Sequence, residues 1–222
     1  MDDSPPPTEL ETKEAIRKLR NHKAAGVDGV HAEMLKVGLD EKEGGAWLVK
    51  WVHRVILCVW EREKVPEDWQ KAILVPLYKG KGDRTECGNW RDISLLSVVG
   101  KVFTHLLLER VNAIVESQLS EAQAGFRRGR GCADQIFTIR KVIEQATALK
   151  IPVYTCYVDL RAAYDSVPRE KLWNVCKQYW MHSKLCKLLQ ALYSDTKSAV
   201  RVEGELTDSF DVSTGLRQGC LM

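Results

Sequence analysis

The stretch PVYTCYVDLRAAYDSVPR (152–169) decides the fold, because it predicts a strand, a short acidic loop and the start of a helix in direct succession. Residues 152–160 are rich in β-branched and aromatic side chains, which favours a central β-strand. Pro168 suits the first turn of a helix at about 168–180. Asp159 ends the strand, where a carboxylate can hold a divalent metal ion against phosphate oxygens. The alternative at this point is that Asp159 only caps a turn.

Two helices are predicted near the N-terminus. Thr8 followed by Glu11 makes a capping box, which opens the first helix. The apolar spacing along this helix predicts that Leu10, Ile16 and Leu19 are buried. The second helix spans about 46–63 and carries apolar residues at helical spacing, which predicts one buried face. The predicted core residues of this face are Trp47, Trp51, Val52, Val55, Ile56, Val59 and Trp60.

The other predicted elements place helices and strands in a mixed order. KAILVPLY (71–78) predicts a buried strand, and SAVRV with LTDSFDV predicts a hairpin around Gly204. The remaining predicted helices lie at about 98–117, around 136–143 and at about 183–194. Helices mixed with strands along the whole chain favour an α+β fold.

Composition narrows the class of protein. The 222 residues are enough for one large domain or two small ones, and the net charge of +3 is only mildly basic. Seven cysteines without CxxC spacing favour a reducing compartment over a disulfide framework or a zinc site. The sequence shows no signal peptide and no apolar run of the ~18–20 residues that span a bilayer. We therefore expect a nuclear or cytoplasmic protein with a disordered leader at 1–7 and one domain at 8–222.

Two glycine-bearing loops concentrate positive charge. Their cations are Lys79, Lys81, Arg84 and Arg91 in the first loop, and Arg127, Arg128 and Arg130 in the second. Glycine lets the backbone approach a phosphate closely and the cations neutralise it, although each loop taken alone is also typical of a solvated surface. A third segment, TGLRQGC (214–220), brackets Arg217 and Gln218 with glycines, which allows its main chain to pack against a flat partner such as a base pair.

Taken in order, these segments resemble the reverse transcriptases of non-LTR (LINE-type) retrotransposons. The resembling blocks are KAAGVDGVHAEML (23–35), LVPLYKGKGD to NWRDISLL (74–96), QAGFRRGRGCADQI (123–136), YVDLRAAYDSVPR (157–169) and TGLRQGC (214–220). The resemblance implies the fingers and the first part of the palm of a right-hand polymerase, with helices packed on an incomplete antiparallel palm sheet. It also implies RNA-directed DNA polymerase activity, a nucleotidyl transfer from dNTPs with an RNA template and a DNA primer as partners.

The resemblance assigns roles to individual residues. Asp159 matches the first metal-binding carboxylate, with the carbonyl of Leu160 as a second ligand, and the family's complete site holds two Mg²⁺ ions. Tyr164 matches the aromatic steric gate against a ribose 2′-OH, and Asp165 is expected to orient the turn after the strand. The other implied roles are triphosphate binding for Lys79 and Arg91, contact with the templating base for Gln218 and Gly219, and nucleic-acid binding for Lys81, Arg84, Arg127, Arg128 and Arg130.

Two departures from the family pattern bear on activity. No aromatic-x-Asp-Asp turn occurs in the 222 residues, although two-metal chemistry in the family uses this second palm motif. We therefore expect that this polypeptide, without that motif and the thumb, does not polymerise alone, and the alternative function is a non-catalytic nucleic-acid-binding remnant of a retroelement. Asp92 stands where the family usually has proline, and we expect its charge to divert Arg91 into an ion pair.

Overall fold

The computed structural model describes residues 4–40, 45–179 and 181–220. The first three residues of the predicted leader therefore lie outside the described part. The rest of the leader contacts the body of the protein, because the Arg110 guanidinium donates to the Ser4 hydroxyl at 3.2 Å and also to the Pro5 carbonyl.

Helix α1 (Glu9–Arg17) begins at the predicted capping box. The Glu11 amide donates to the Thr8 hydroxyl at 3.2 Å, and the Thr8 amide donates to the Glu11 carboxylate at 2.6 Å. Leu10 is exposed, contrary to the prediction, because the inward stripe of this short helix starts at Thr12. The cap therefore sets the start of α1, while packing against its neighbours selects the buried side.

Helix α2 (Ala32–Val37) and helix α3 (Ala46–Arg62) follow. The predicted core of α3 is wrong at three positions, because Trp47, Trp51 and Val55 are exposed by 60%, 56% and 39%. A helix buries one stripe against its neighbours, and the apolar positions of α3 extend beyond the width of that stripe. The buried positions are Val49, Val52, Ile56, Val59 and Trp60.

Within the described residues, a mixed sheet follows the short helix α4 (Glu67–Gln70). Strand β1 (Lys71–Tyr78), as predicted, forms an antiparallel hairpin with β2 (Trp90–Leu95). On its other side β1 pairs in parallel with β3 (Lys197–Val202). The expectation of an antiparallel sheet is therefore wrong, because a strand from late in the chain joins β1 in the same direction.

The predicted hairpin near the end of the chain is confirmed. Strand β3 turns back into β4 (Glu205–Leu206), and β5 (Phe210–Asp211) pairs with the start of β3. The two turn residues, Glu203 and Gly204, have φ angles of 51° and 94°. Positive φ at both positions suits a two-residue hairpin turn.

Four more helices lie close to their predicted positions: α5 (Val98–Val115), α6 (Cys132–Ala148), α7 (Arg169–Gln178) and α8 (Ser183–Tyr193). The main core lies where α1, α3, α5 and α8 meet. Its largest fully buried apolar side chains are Phe103, Ile16, Ile56, Leu107, Leu185, Leu188, Leu192 and Val102. In the described part of the chain, no helix combines the length and apolar character that crossing a membrane requires.

The strand predicted at 152–160 does not form. These residues are irregular and exposed, and they pair with no other described strand. Strand preference expresses how well a side chain fits against neighbouring strands, and without a neighbour the backbone has no ladder to join. The preceding helix α6 also buries none of its residues. The segment 132–160 therefore stands away from the helical core.

Candidate active site

The β1–β2 hairpin forms one wall of the candidate site. Its connecting loop is fixed from within, because the Lys79 amide donates to the Asn89 carbonyl at 2.9 Å and the Lys79 ammonium donates to the Gly88 carbonyl at 2.8 Å. The Asn89 side chain also donates to the Asp83 carbonyl at 2.7 Å. In the strand ladder Arg91 lies opposite Leu77. The hairpin thus holds Lys79 and Arg91 at the base of its loop.

The segment after residue 158 forms the opposite wall. Asp159 borders a cleft of about 670 Å³ together with Lys79, Lys81 and Arg91. The structure therefore brings a carboxylate next to three cations of the hairpin that lie far from it in the sequence. Leu160 follows directly and is exposed. Its carbonyl belongs to the same irregular segment.

A second cleft, of about 520 Å³, adjoins the first and shares Lys79 and Arg91 with it. Asp92, Asp165 and Gln218 also line this second cleft. Burial, followed by the negative charge of Asp92, raises the pKa of the Asp165 carboxyl, and the charge of Lys79 opposes the rise. Two carboxylates therefore act on each other inside a cleft that also holds the cations.

The expected ion pair between Arg91 and Asp92 does not form in the described part of the structure, where no salt bridge joins the two. Consecutive side chains leave a strand toward opposite faces, which separates them although both border the second cleft. The charge of Asp92 acts across the cleft on Asp165 instead. The Arg91 guanidinium thus stays exposed at the cleft.

The TGLRQGC segment joins the two walls through its main chain. The Leu216 amide donates to the Tyr164 carbonyl at 2.8 Å, and the Ser94 amide of β2 donates to the Gln218 carbonyl at 2.8 Å. Gly219 has a φ of 115°, and a Cβ there would lie 2.7 Å from the Ser94 carbonyl oxygen. A residue other than glycine would therefore push the segment away from β2. This contact fixes Gln218 at the edge of the second cleft.

Arg217, in the middle of that segment, is buried rather than turned toward a ligand. Its guanidinium donates to the carbonyls of Trp69 at 2.7 Å and Leu192 at 3.1 Å, and it stacks over the Tyr193 ring at 5.0 Å. Burial is the main reason why the pKa of the Tyr193 phenol is raised to about 12. Arg217 therefore anchors the segment to the ends of α4 and α8.

Arg169 reinforces this anchor, and nothing in the sequence singled it out. Its guanidinium stacks over the same Tyr193 ring at 5.2 Å and donates to the Gly215 carbonyl at 3.1 Å. The sequence indicates only that Arg169 lies in the first turn of a helix, next to Pro168, and this position does not reveal a contact with the glycine segment. Two arginines, from different elements, therefore hold the glycine segment in place around one aromatic ring.

The predicted steric gate, Tyr164, lies at the turn that the glycine segment contacts. Its ring is 39% exposed and packs edge-on against Phe126, with 6.5 Å between the ring centroids. The ring thus contacts the second basic loop rather than the lining of either cleft. Its carbonyl, however, is held beside Leu216.

The predicted nucleic-acid-binding cations fall into different environments. Lys81 borders the first cleft, and the Arg84 guanidinium stacks over the Tyr78 ring at 5.0 Å. Arg128 is exposed, with 83% of its side chain accessible and only a 3.8 Å contact to Glu109. These three side chains can reach a phosphate from their present positions.

The other two predicted cations are engaged within the protein. The Arg127 side chain is only 3% exposed, donates to the Glu116 carboxylate at 2.7 Å and donates to the Ser120 carbonyl at 2.8 Å. Arg130 is partly exposed and pairs with the Glu121 carboxylate. Arg127 therefore stabilises the loop in which it lies, while the Arg130 side chain remains partly accessible to solvent.

The described residues contain no group of three or more His, Cys, Asp or Glu side chains that could hold a metal ion. Asp159 is thus a single carboxylate with a neighbouring main-chain carbonyl. Mg²⁺ is bound in proteins by one or two carboxylates together with substrate phosphates and water. The Asp159 carboxylate and the next main-chain carbonyl are hard oxygen donors, so they fit a Mg²⁺ ion that is also bound by substrate phosphates.

Comparison with known proteins decides the family. The family model described as reverse transcriptase (RNA-dependent DNA polymerase) matches residues 78–222, which is more than half of the chain. The chain belongs to the reverse transcriptase family. The matched region includes the hairpin loop, Asp159 and the glycine segment, so the two walls of the cleft are parts of one reverse transcriptase domain.

Relatives of this reverse transcriptase are proteins of non-LTR retrotransposons, which confirms the resemblance seen in the motifs. The chain is 26% identical to "Transposon TX1 uncharacterized 149 kDa protein" of Xenopus laevis, over 95% of this chain and 16% of the relative. It is 27% identical to "Probable RNA-directed DNA polymerase from transposon X-element" of Drosophila melanogaster, over 96% of this chain and 23% of the relative. The chain therefore spans about a fifth of the length of these curated relatives.

Proposed function

We propose that the cleft between the hairpin and Asp159 binds the triphosphate of an incoming deoxynucleotide during RNA-templated DNA synthesis. The observation that carries this proposal is that Asp159 borders the same cleft as Lys79 and Arg91. Cations on one wall and a carboxylate on the other suit a metal-bound triphosphate better than a free anion. In this assignment the hairpin is part of the fingers, and the segment 157–169 with β3 is part of the palm.

The two cations have different tasks in this proposal. The Arg91 guanidinium is exposed at the cleft and can bind a phosphate bidentately, which fixes its orientation. The Lys79 ammonium exchanges its bond to the Gly88 carbonyl for a phosphate oxygen, acting as a point charge. Together they hold the triphosphate in line with the primer, and positioning of this kind supplies much of the rate of phosphoryl transfer.

Asp159 and the carbonyl of Leu160 are the residues that would hold Mg²⁺ beside the triphosphate. When bound, the metal polarises the phosphoryl oxygens and neutralises charge as the bond to pyrophosphate breaks. Asp159 would hold that charge beside the phosphates. Tyr164 remains the proposed steric gate at the turn after Asp159, although in this structure its ring packs against Phe126. Gln218 and Gly219, fixed against β2, border the position of the new base pair.

The nucleic-acid surface in this proposal consists of Lys81, Arg84, Arg128 and Arg130. Each carries positive charge at or near the surface of the two basic loops, where it can neutralise a phosphate of the template or the primer. Arg127 is left out of this surface because its guanidinium is buried and bound to Glu116. Its task is to shape the loop that presents Arg128 and Arg130.

The names of relatives support synthesis over the alternative of a binding remnant without chemistry. Besides the X-element protein, "RNA-directed DNA polymerase from mobile element jockey" of Drosophila melanogaster is 22% identical over 96% of this chain. The cleft residues belong to the region that the reverse transcriptase model matches. No residue of the described clefts favours a different chemistry.

Binding of a fluorescent dTTP analogue, with and without Mg²⁺, tests the proposal. Arg91→Gln should weaken binding roughly tenfold or more, because a charge-assisted hydrogen bond contributes about 1.5–3 kcal/mol. Asp159→Asn should remove the part of the affinity that depends on Mg²⁺. The matched control is Lys141→Gln on α6, which removes an exposed cation far from the hairpin in sequence. If Arg91→Gln and Asp159→Asn both bind like the Lys141→Gln control and the unaltered chain, the proposal is refuted.

A further inference from the structure

Asp92 is the one acidic residue that β2 contributes to the second cleft. It lines this cleft together with Lys79, Arg91, Arg161, Asp165 and Gln218. Three cations thus face two carboxylates across about 520 Å³. Removing one negative charge would raise the net charge of this lining from +1 to +2.

The position of Asp92 explains why its charge is not neutralised locally. No described salt bridge joins Asp92 to Arg91, although the two are neighbours on β2. The β1–β2 register places Asp92 opposite Pro76, which carries no charge. The negative charge is therefore directed into the cleft, where it acts on the Asp165 carboxyl.

We infer that Asp92 lowers the affinity for a triphosphate of the first cleft, which adjoins the second cleft and shares Lys79 and Arg91 with it, and thereby sets how tightly the chain holds a nucleotide. The inference rests on the proposed function of the cleft. Asp92 repels the phosphates that Lys79 and Arg91 attract. The residue acts on the ligand through the field in the cleft, so it determines affinity without taking part in the chemistry.

The position of Asp92 and Asp165 in the lining of the same cleft supports this inference independently of Arg91. Burial comes first among the causes that raise the pKa of Asp165, and the charge of Asp92 comes second. Because both carboxylates line the second cleft, the charge of Asp92 acts inside it. A triphosphate with several negative charges experiences the same field more strongly.

Asp92→Asn is the test, because the amide keeps the shape of the side chain and removes its charge. Affinity for Mg²⁺·dTTP and for inorganic tripolyphosphate is measured by isothermal titration at low and at moderate salt. The variant should bind both ligands roughly fivefold more tightly at low salt, with a smaller gain at higher ionic strength because charges at the cleft are screened. Circular dichroism checks that each variant is folded.

Glu86→Gln is the matched control, since it removes one negative charge from the same hairpin at an exposed position outside both cleft linings. Tighter binding by Asp92→Asn with unchanged binding by Glu86→Gln supports the inference. Equal binding by Asp92→Asn and the unaltered chain, while Arg91→Gln still weakens binding, overturns the inference and leaves the proposed function intact. Absence of binding by every chain overturns the proposed function itself.

Discussion

Arg217→Ala should destabilise the protein more than any single exposed substitution. Its guanidinium makes two hydrogen bonds to buried carbonyls and stacks on Tyr193. Each such bond contributes about 1.5–3 kcal/mol and the stack about 1–2 kcal/mol, while the desolvation of a buried cation offsets several kcal/mol of that sum. The net loss in the free energy of unfolding is about 3 kcal/mol. For a chain of this size this loss corresponds to a fall in Tm of about 6–12 °C.

Thermal unfolding followed by circular dichroism measures this effect. Arg140→Ala is the matched control, because that guanidinium is 76% exposed and pairs only with Glu144 four residues away. Such a surface pair contributes about 0.3–0.5 kcal/mol, so the control should barely move Tm. Arg217→Lys should fall between the two, since lysine keeps the charge and loses the planar fork. Equal Tm values for Arg217→Ala and Arg140→Ala would refute the conclusion that Arg217 anchors the glycine segment.

Three further outcomes are expected. Gly219→Ala should cost about 1–3 kcal/mol, because a strained φ and a close carbonyl oppose the new methyl group, and faster hydrogen exchange at the Ser94 amide would report the loosened contact. Asp92→Asn should lower the pKa of the Asp165 carboxyl toward 3.8, as read by a carbon-detected NMR titration. Because that pKa is raised in the folded protein, the contribution of Asp165 itself to stability should rise as pH falls through it toward 3.8, and this contribution should rise less in the variant. Arg128→Ala should reduce the slope of log affinity for RNA against log salt by about 1 without sequence preference, and an unchanged slope would remove this residue from the nucleic-acid surface.

Local sequence signals predicted the boundaries of most elements. The capping box at Thr8 places the start of α1 because both of its hydrogen bonds lie within four residues. The strand at 71–78 and the hairpin around Gly204 were also correct, since a short apolar run and a tight turn depend mainly on their own residues. Elements of this kind are determined by interactions between residues that are close together in the sequence.

Predictions that depend on distant partners were less successful. The segment 152–160 has strand-forming residues, but a strand also requires a neighbour, and none pairs with it in the described structure. Trp47 and Trp51 have the spacing of a core face, yet the width of the contact with other helices leaves them exposed. Periodicity gives the orientation of a helix face but not the extent of the surface that covers it.

The site was predicted in its residue types more completely than in its electrostatics. The motifs placed Lys79, Arg91 and Asp159 in one site, and the structure puts all three on one cleft. The neighbouring residue Asp92 was expected to pair with Arg91, whereas its charge reaches Asp165 across the fold. Such a contact joins residues from separate elements, which neighbouring positions in the sequence do not reveal.

The central claim is that the cleft between the hairpin and Asp159 holds a metal-bound triphosphate. Mn²⁺ in place of Mg²⁺ tests it most directly, because the paramagnetic ion broadens the NMR signals of nearby amides. With dTTP present, broadening should concentrate at Lys79, Arg91, Asp159 and Leu160, and it should be weak without the nucleotide. Broadening that instead centres on Lys23 and Lys101, which line a separate cleft beside α1 and α5, would contradict the claim.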